Sequence, residues 1–282
     1  MARRLLRIPI LPTLVVALLL ALVGVTPLLS HDFWLVPVSF RTALGTEVRV
    51  RGQTSSEFPT TLSAVTPDRV ASAQIITASG ARPISGVVVG GTSLQLSHRP
   101  EEPGQALVAV ALRPRTLRES PESFRRYLVI EGAPEALARY EQQGLLPTDS
   151  ITRRYAKYAK ALLEVGTAAP RVFSRRAGHP LEFVPLSDPS AARVGDTLRL
   201  RMLFQGTPLA NARGHVSVAA AVHSERADHE VPFVTDAHGD FSVEIRGNGL
   251  WNARAIHIGP APAGSGADWD VHWATLVWWA AP

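Results

Sequence analysis

Most of the sequence after residue 30 consists of short stretches that alternate apolar with polar residues and are separated by turns rich in proline, glycine and serine. Glu47–Arg51 and Asp196–Phe204 are clear examples of such stretches. Alternation with a period of two places the apolar side chains on one face of a strand. Several short strands joined by tight turns are typical of antiparallel sandwiches. The sequence therefore predicts a mainly β protein.

The pattern divides the chain into two β regions and a connection. Residues 31–115 predict an N-terminal β-sandwich. Residues 166–282 predict a C-terminal sandwich with the Greek-key order of immunoglobulin or transthyretin-like folds. Residues 116–165 predict a short helical segment that joins the two sandwiches.

Three helices are predicted in the connection. The first begins at Ser120-Pro121 and the second at Pro134, because a capping serine and an early proline are typical of helix starts. The third runs from Ile151 to about Lys160, with Asp149 or Ser150 as its cap. Its basic face is interpreted as a solvated surface or a lid over the sheet, and the alternative is a site for an anion or a partner. The residues of this face are Arg153, Arg154, Lys157 and Lys160.

The first 30 residues resemble a secretory signal peptide. Met1–Arg7 is basic, Ile8–Val25 is almost entirely apolar, and Leu28 and Ser30 stand at the positions expected before a cleavage site. We expect cleavage after Ser30 and a periplasmic or secreted protein. The alternative is an uncleaved N-terminal membrane anchor.

The composition restricts the chemistry that the protein can use. The 282 residues include no cysteine, which excludes disulfides, thiolate metal sites and cysteine nucleophiles. Lysine and arginine number 29 against 24 acidic residues, and three of the arginines lie in the leader. Because no run of basic residues interleaved with aromatics remains, we expect no nucleic-acid partner.

His31 is the first candidate metal ligand. Cleavage after Ser30 would make it the first residue of the mature chain, where its α-amine and imidazole together chelate Cu(II) or Ni(II). Asp32 would add a carboxylate. The alternative interpretation is that His31 only begins a strand.

His257 and His272 are the next candidates. They lie on two consecutive predicted strands, near the loop that joins them. With Asp268 or Asp270 they could complete a site begun by His31, although a histidine at a strand end is often an ordinary surface residue.

His215 and His223 lie on one face of a predicted strand, too far apart to share an ion directly. The histidines of a turn-rich region are interpreted as solvated loop residues, although the region could hold a low-affinity site: His223, His229, Glu230 and His238. His98 and His179 stand near prolines and are interpreted as loop residues.

Common enzyme motifs are absent from the sequence. His229-Glu230 is not followed by the second histidine of a zinc-protease helix, and there is no nucleophile elbow and no phosphate loop. We therefore predict a protein that is not an enzyme.

Several stretches together resemble one bacterial family of exported proteins. They are HDFWLVP (31–37), RRYAKYAKALLEVG (153–166), HPLEFVPLSDP (179–189), VGDTLRLRMLFQGTPLANA (194–212), TDAHGDFSVEI (235–245), GLWNARAIHI (249–258) and DWDVHWATLVW (268–278). Members are described as domains of unknown function or as periplasmic components of cobalt and nickel ABC-type transport systems. The resemblance implies periplasmic handling of a divalent transition metal, with a membrane permease or transporter subunit as a partner.

The leading hypothesis is therefore a periplasmic protein that binds nickel, cobalt or copper and assists metal uptake, with His31 as the anchor ligand. A second hypothesis is a non-catalytic sandwich that binds carbohydrate or protein, because exposed tryptophans stack on sugars. Four of the six tryptophans cluster near the C-terminus, where we expect them to seal a core: Trp269, Trp273, Trp278 and Trp279. A third is a copper oxidase built on an N-terminal histidine brace.

The cleavage prediction can be tested directly. Mass spectrometry of the exported protein should find His31 as the N-terminal residue, because the leader has a basic start, an apolar run and a small residue at position 30. A mature chain that still carries the leader would remove the amine ligand from the first hypothesis.

Overall fold

The computed structural model describes residues 31–167, 169–219 and 230–281, so the leader lies outside the described part of the chain. The strands, in chain order, are β1 (Asp32–Pro37), β2 (Arg41–Thr42), β3 (Val48–Ser55), β4 (Val70–Thr77), β5 (Gly80–Pro83), β6 (Gly86–Gly90), β7 (Ser93–His98), β8 (Gly104–Leu112), β9 (Arg115–Glu119), β10 (Ile151–Val165), β11 (Leu181–Pro185), β12 (Thr197–Phe204), β13 (Thr207–Pro208), β14 (Arg213–Val218), β15 (Glu230–Val234), β16 (Asp240–Glu244), β17 (Gly249–Pro260) and β18 (Trp269–Ala280). The helices are a 3-10 turn (Pro67–Arg69), α1 (Pro121–Ile130) and α2 (Pro134–Glu141). The prediction of a mainly β protein is confirmed.

A ten-stranded sheet runs through the protein. Its main path is β15-β14-β17-β18-β10-β8-β4-β5, and β2 and β9 also pair with β10. A four-stranded sheet of β1, β3, β7 and β6 and a second of β11, β12, β13 and β16 are separate from it. These small sheets pack on opposite faces of the large one. Along β10, Ala159 and Ala161 belong to the core beneath β1 and β3, while Ala156 and Leu162 belong to the core beneath β11 and β12.

The two helices lie where the sequence predicts them. Ser120 caps α1, and its hydroxyl accepts a hydrogen bond from the backbone three residues later. Pro121 and Pro134 occupy the first helical positions, where a missing N–H costs nothing. The helices pack on the same face of the large sheet as β1, and the ring of Phe124 lies 5.2 Å from that of Trp269.

The prediction of a third helix from Ile151 to about Lys160 was wrong, because these residues belong to β10. Alanine, lysine and leucine favour a helix locally. The segment is instead buried on both faces of the large sheet, with parallel pairing to β18 from Arg153 to Ala161 and antiparallel pairing to β8 from Leu162 to Val165. Tertiary packing therefore overrides the local helix propensity here.

The solvated basic face predicted for this segment was also wrong for two residues. Arg153 is 6% exposed, and its Nε lies 2.6 Å from Oε1 of Glu119. Lys160 is 1% exposed, and its Nζ lies 3.0 Å from Oε2 of Glu182. Burying a charge is costly unless a counter-charge accompanies it. Each of these two buried cations has its own carboxylate.

The tryptophans form core rather than surface. Buried tryptophans are Trp34, Trp251, Trp269, Trp273 and Trp278. The sixth, Trp279, is 44% exposed and lies beside Phe40, with ring centroids 5.9 Å apart. The expected C-terminal core is confirmed for three of its four members.

The buried Lys160–Glu182 pair provides a stability test. In Lys160→Met, Glu182 loses its cation, and we expect the free energy of unfolding to fall by about 3–5 kcal/mol in urea denaturation. Lys160→Met combined with Glu182→Gln should recover part of the loss, because no unpaired charge is then buried. The glutamine oxygen can still accept from the Ala177 N–H, 2.9 Å away, but the longer bond from the Gly178 N–H, at 3.3 Å, is lost.

The matched control is the exposed pair of Arg82 and Glu101. Arg82→Met should change the free energy of unfolding by about 0–1 kcal/mol. A double variant of the buried pair that is as unstable as Lys160→Met alone would contradict the role assigned to the charges.

Candidate functional site

Two histidines face each other near the end of the large sheet. β17 and β18 pair antiparallel along their whole length, and His257 stands directly opposite His272. Opposed residues project from the same face of a sheet. That face also carries Ala255 and Ala274, which belong to the core beneath β11 and β12. β17 and β18 are the two consecutive strands that the sequence predicts for these histidines.

The imidazole of His272 is held by hydrogen bonds at both nitrogens. Its Nδ1 lies 3.1 Å from the Tyr158 hydroxyl, and its Nε2 lies 3.2 Å from Oδ2 of Asp270. Burial raises the pKa of Tyr158 to about 12, so this hydroxyl stays protonated at neutral pH and donates to Nδ1. Nε2 therefore carries the ring proton and donates it to Asp270.

Asp270 is fixed in turn by Arg154. The guanidinium Nε and Nη2 donate to the two carboxylate oxygens over 3.0 and 2.6 Å. Burial raises the pKa of Asp270, but the hydrogen bonds from Arg154 and the charge of His272 outweigh it and leave that pKa below its usual value. Asp270 is therefore a carboxylate that orients His272, an arrangement common behind metal-binding histidines.

Both histidines are neutral at neutral pH. Burial, followed by the charge of His272, lowers the pKa of His257 to about 4. Burial also lowers the pKa of His272. The ring of Phe204 contacts both imidazoles, with centroid distances of 4.2 Å to His257 and 5.2 Å to His272. A neutral imidazole is the form that can bind a metal ion.

A cavity of about 230 Å³ opens beside His257. β14 pairs with β17 only as far as the Gly214–Ala255 pair, which leaves the edge of β17 free of that strand beyond Ala255. The walls are the start of α2, the loop before β14 and the end of β17: Gly132, Ala133, Glu135, Ala136, residues 209–213, Ile256, His257 and Ile258. His257 is therefore the accessible member of the histidine pair.

Asp32 lies on the other face of the large sheet. Its carboxylate pairs with Arg254, whose Nε is 2.8 Å from Oδ2, and Arg254 also reaches Oε2 of Glu131 over 2.7 Å. Side chains alternate along β17, so Arg254 projects from the face opposite to that of His257. Asp32 is thus 8% exposed and engaged in a buried ion pair. His31, one residue before β1, is half-buried.

The predicted ligand Asp268 serves the backbone instead. Its Oδ2 accepts a hydrogen bond from the Thr152 N–H over 2.7 Å, and its own N–H donates to the Thr152 carbonyl over 2.7 Å. This contact fixes the loop before β18 to the start of β10. Among the described residues, no group of three or more histidine, aspartate or glutamate side chains is arranged to hold a metal ion. The structure brings His257 and His272 together but does not gather the full predicted set.

His179 lies in a loop, as the sequence predicts, but its side chain is buried. It is 5% exposed, and neither ring nitrogen has a hydrogen-bond partner among the described residues. Burial, and then the charge of Lys160, lower its pKa to about 3. Its ring centroid is 5.4 Å from that of Tyr158. Nothing local in the sequence indicates this burial, because β10 supplies both neighbours.

The other described histidines lie away from the pair. His98, predicted in a loop, is instead the last residue of β7. His215 lies within β14, a strand as predicted, and His238 is exposed in a turn, also as predicted. His223 and His229 lie outside the described residues.

Comparison with known families decides the relationship of this chain. A family model described as a domain of unknown function, DUF4198, matches residues 28–259. The chain belongs to the DUF4198 family. The predicted resemblance to a domain-of-unknown-function family is confirmed at this level, and this DUF4198 protein matches no curated protein.

Solved structures give only weak likenesses to the DUF4198 chain. The D0-D1 domain of intimin is 10% identical, with a TM-score of 0.22 over 88% of this chain and 97% of that one. Salmonella alpha-2-macroglobulin is 11% identical, with a TM-score of 0.22 over 91% of this chain and 15% of that one. A DUF4785 protein of Legionella pneumophila is 7% identical, with a TM-score of 0.23 over 78% and 50%. Likenesses at this level carry no argument about function.

Within the described residues of the DUF4198 chain, no helix has the length and apolar character needed to span a membrane.

The buried histidines predict how stability depends on pH. The pKa of His179 is about 3 in the folded state against an ordinary value of 6.5, so the unfolded chain binds the proton more readily. The contribution of His179 to stability is therefore fully present above pH 6.5 and is lost as the pH drops towards 3. In urea denaturation, the free energy of unfolding of the wild type should fall by about 2 kcal/mol more than that of His179→Phe between roughly pH 6 and pH 4.

Phenylalanine keeps a planar ring at position 179 and removes no hydrogen bond, so the variant should fold. His238→Gln, at an exposed position, is the control and should keep the pH dependence of the wild type. If the free energy of unfolding fell equally with pH in wild type and His179→Phe, His179 would not be buried in its neutral form.

Proposed function

We propose that this DUF4198 protein is an exported binding protein for a divalent transition metal and assists nickel or cobalt uptake. The observation that supports it is the opposed pair of His257 and His272 beside the cavity. Imidazole nitrogen suits nickel, cobalt and copper, and the chain has no cysteine that would favour softer ligation.

His257 is the proposed entry ligand of this site. It borders the cavity and is neutral at neutral pH. Its partner His272 is oriented by Asp270 and presents Nδ1 to the Tyr158 hydroxyl, so His272 joins the metal only by giving up that hydrogen bond. Water and the cavity wall would supply the remaining ligands.

His31 is a second and separate proposed place for the metal. If the leader is removed after Ser30, the amine and imidazole of His31 form a chelate without help from other residues. β1 begins at the next residue and is firmly anchored, because Asp32 is paired with Arg254 and Phe33 is 1% exposed. A chelate at this position would stand on a rigid support, as a preorganised site requires.

The proposed partners are the metal ion and a membrane permease or transporter subunit. Both come from the family resemblance and from the metal-binding proposal. The carbohydrate-binding alternative has less support, because five of the six tryptophans are buried and cannot stack on a sugar. The copper-oxidase alternative has its own test, which is peroxide-driven oxidation of a polymer by the copper-loaded protein.

Metal titration by calorimetry tests the proposal. The wild type should bind Ni(II), Co(II) or Cu(II), and His257→Ala should weaken binding at the histidine pair by about tenfold or more, since a ligand is removed. His238→Ala removes an exposed histidine and should leave the affinity unchanged.

His31→Ala separates the two proposed places for the metal. Loss of binding in His31→Ala but not in His257→Ala would assign the metal to the mature N-terminus. The proposal would be wrong if the wild type bound none of the three ions. It would also be wrong if the variant that combines His31→Ala with His257→Ala still bound the metal.

A further inference from the structure

A group of cationic side chains lies on one face of the pairing between β9 and β10. Arg115 stands directly opposite Tyr155, so both project from the same face of the sheet. Lys157, two residues after Tyr155, shares that face, and its Nζ lies 5.9 Å from the Tyr155 ring centroid. Arg118 stands opposite Thr152 and therefore projects from the other face.

A third cation reaches the group from the 3-10 turn. Arg69 ends this turn, and its Nη2 donates to the carbonyl of Arg113 over 2.8 Å. Arg113 in turn donates through its backbone N–H to the Arg69 carbonyl, over 2.7 Å, and through its Nε to the Asp68 carbonyl, over 3.0 Å. These three hydrogen bonds hold Arg69 beside the start of β9 and close to the hydroxyl of Tyr155.

Two of these cations, Arg69 and Arg115, lack a close counter-charge in the part of the chain that the structure describes. Among the described residues, no carboxylate lies within ion-pair distance of Arg69 or Arg115. Asp68 interacts electrostatically with both arginines, but it is exposed, so solvent screens its charge. Burial and then the charge of Arg115 lower the pKa of Arg69. Like charges that repel each other raise the free energy of the folded protein unless an anion joins them.

The positive charge of Arg69 also acts on Lys157. Burial lowers the pKa of Lys157 to about 8, and the charge of Arg69 acts in the same direction. Asp32 and Glu131 act against that shift, but both already pair with Arg254. Both carboxylates thus interact with Lys157 and Arg254, and neither forms an ion pair with Arg69 or Arg115.

One donor of the group has no acceptor. Nε of Arg69 is buried and has no hydrogen-bond partner among the described residues. A buried donor without an acceptor is unfavourable. A negatively charged hydrogen-bond acceptor would pair with this Nε and also neutralise the positive charge around it.

We propose that Arg69, Arg115, Lys157 and the Tyr155 hydroxyl form a binding site for a small oxyanion, either a phosphate or a carboxylate. Guanidinium groups bind both kinds of anion through paired, charge-assisted hydrogen bonds. The site is on the opposite face of the large sheet from His257, so it is separate from the proposed metal site at the histidine pair.

Calorimetric titration of the purified full chain with inorganic phosphate and with acetate, at low ionic strength, tests this site. The wild type should bind at least one of them, and added NaCl should weaken the binding by screening. Arg115→Gln should reduce the affinity about tenfold, because one charge-assisted contact is lost. Arg115 is exposed and forms no ion pair with any residue that the structure describes, so this variant should fold normally.

Arg118→Gln is the matched control, because Arg118 lies on the same strand but on the other face. It should bind the anion within about twofold of the wild type, a difference typical of a surface substitution. Thermal unfolding gives a second readout, since the bound anion should raise the midpoint in wild type and Arg118→Gln but less in Arg115→Gln.

Vesicles of phosphatidylcholine with and without phosphatidylglycerol identify the source of the anion. One informative result is that the wild type binds the anionic vesicles more tightly than it binds free phosphate, while Arg115→Gln does not bind them. That result would support the site and assign it to a lipid headgroup. No binding of phosphate, acetate or anionic vesicles by the wild type, or equal losses in Arg115→Gln and Arg118→Gln, would overturn the proposal.

Discussion

Burial of β10 on both faces is the constraint on which the rest of the structure depends. A strand inside a protein must pair its N–H and C=O groups along both edges. β18 covers one edge of the first part of β10, β9 covers the other edge, and β8 pairs with the last four residues. The strands from the two ends of the chain therefore join one sheet. The two buried cations of β10 need carboxylate partners, so Glu119 pairs with Arg153 and Glu182 pairs with Lys160.

The two faces of the large sheet have different chemistry. One face carries β1, the two helices and the ion pairs of Arg254 with Asp32 and Glu131. The other carries the neutral imidazoles of His179, His257 and His272 beneath β11 and β12. Alternation along a strand produces this separation without any extra structure. It is the reason why Asp32 and the histidine pair cannot belong to one cluster, although both are plausible metal ligands by residue type.

The histidine pair could be predicted in part from the sequence. His257 and His272 are close in the chain and lie on consecutive strands, so their pairing follows from a short connection. Tyr158 is 114 residues away from His272 along the chain, so no local pattern in the sequence predicts their contact. The partners that set the tautomer and the protonation of His272 therefore could not be predicted from the spacing of residues. The same applies to His179, whose burial depends on β10.

Alternation, turn residues and helix caps are local features, and from them the sequence by itself determined the β class, many of the strands and the positions of α1 and α2. The tertiary structure decided what depends on distant contacts. It made residues 151–165 a strand, because packing on two faces outweighs the helix propensity of alanine, lysine and leucine. It paired Asp32 with Arg254, 222 residues later in the chain, because a buried carboxylate needs a cation wherever the fold can supply one.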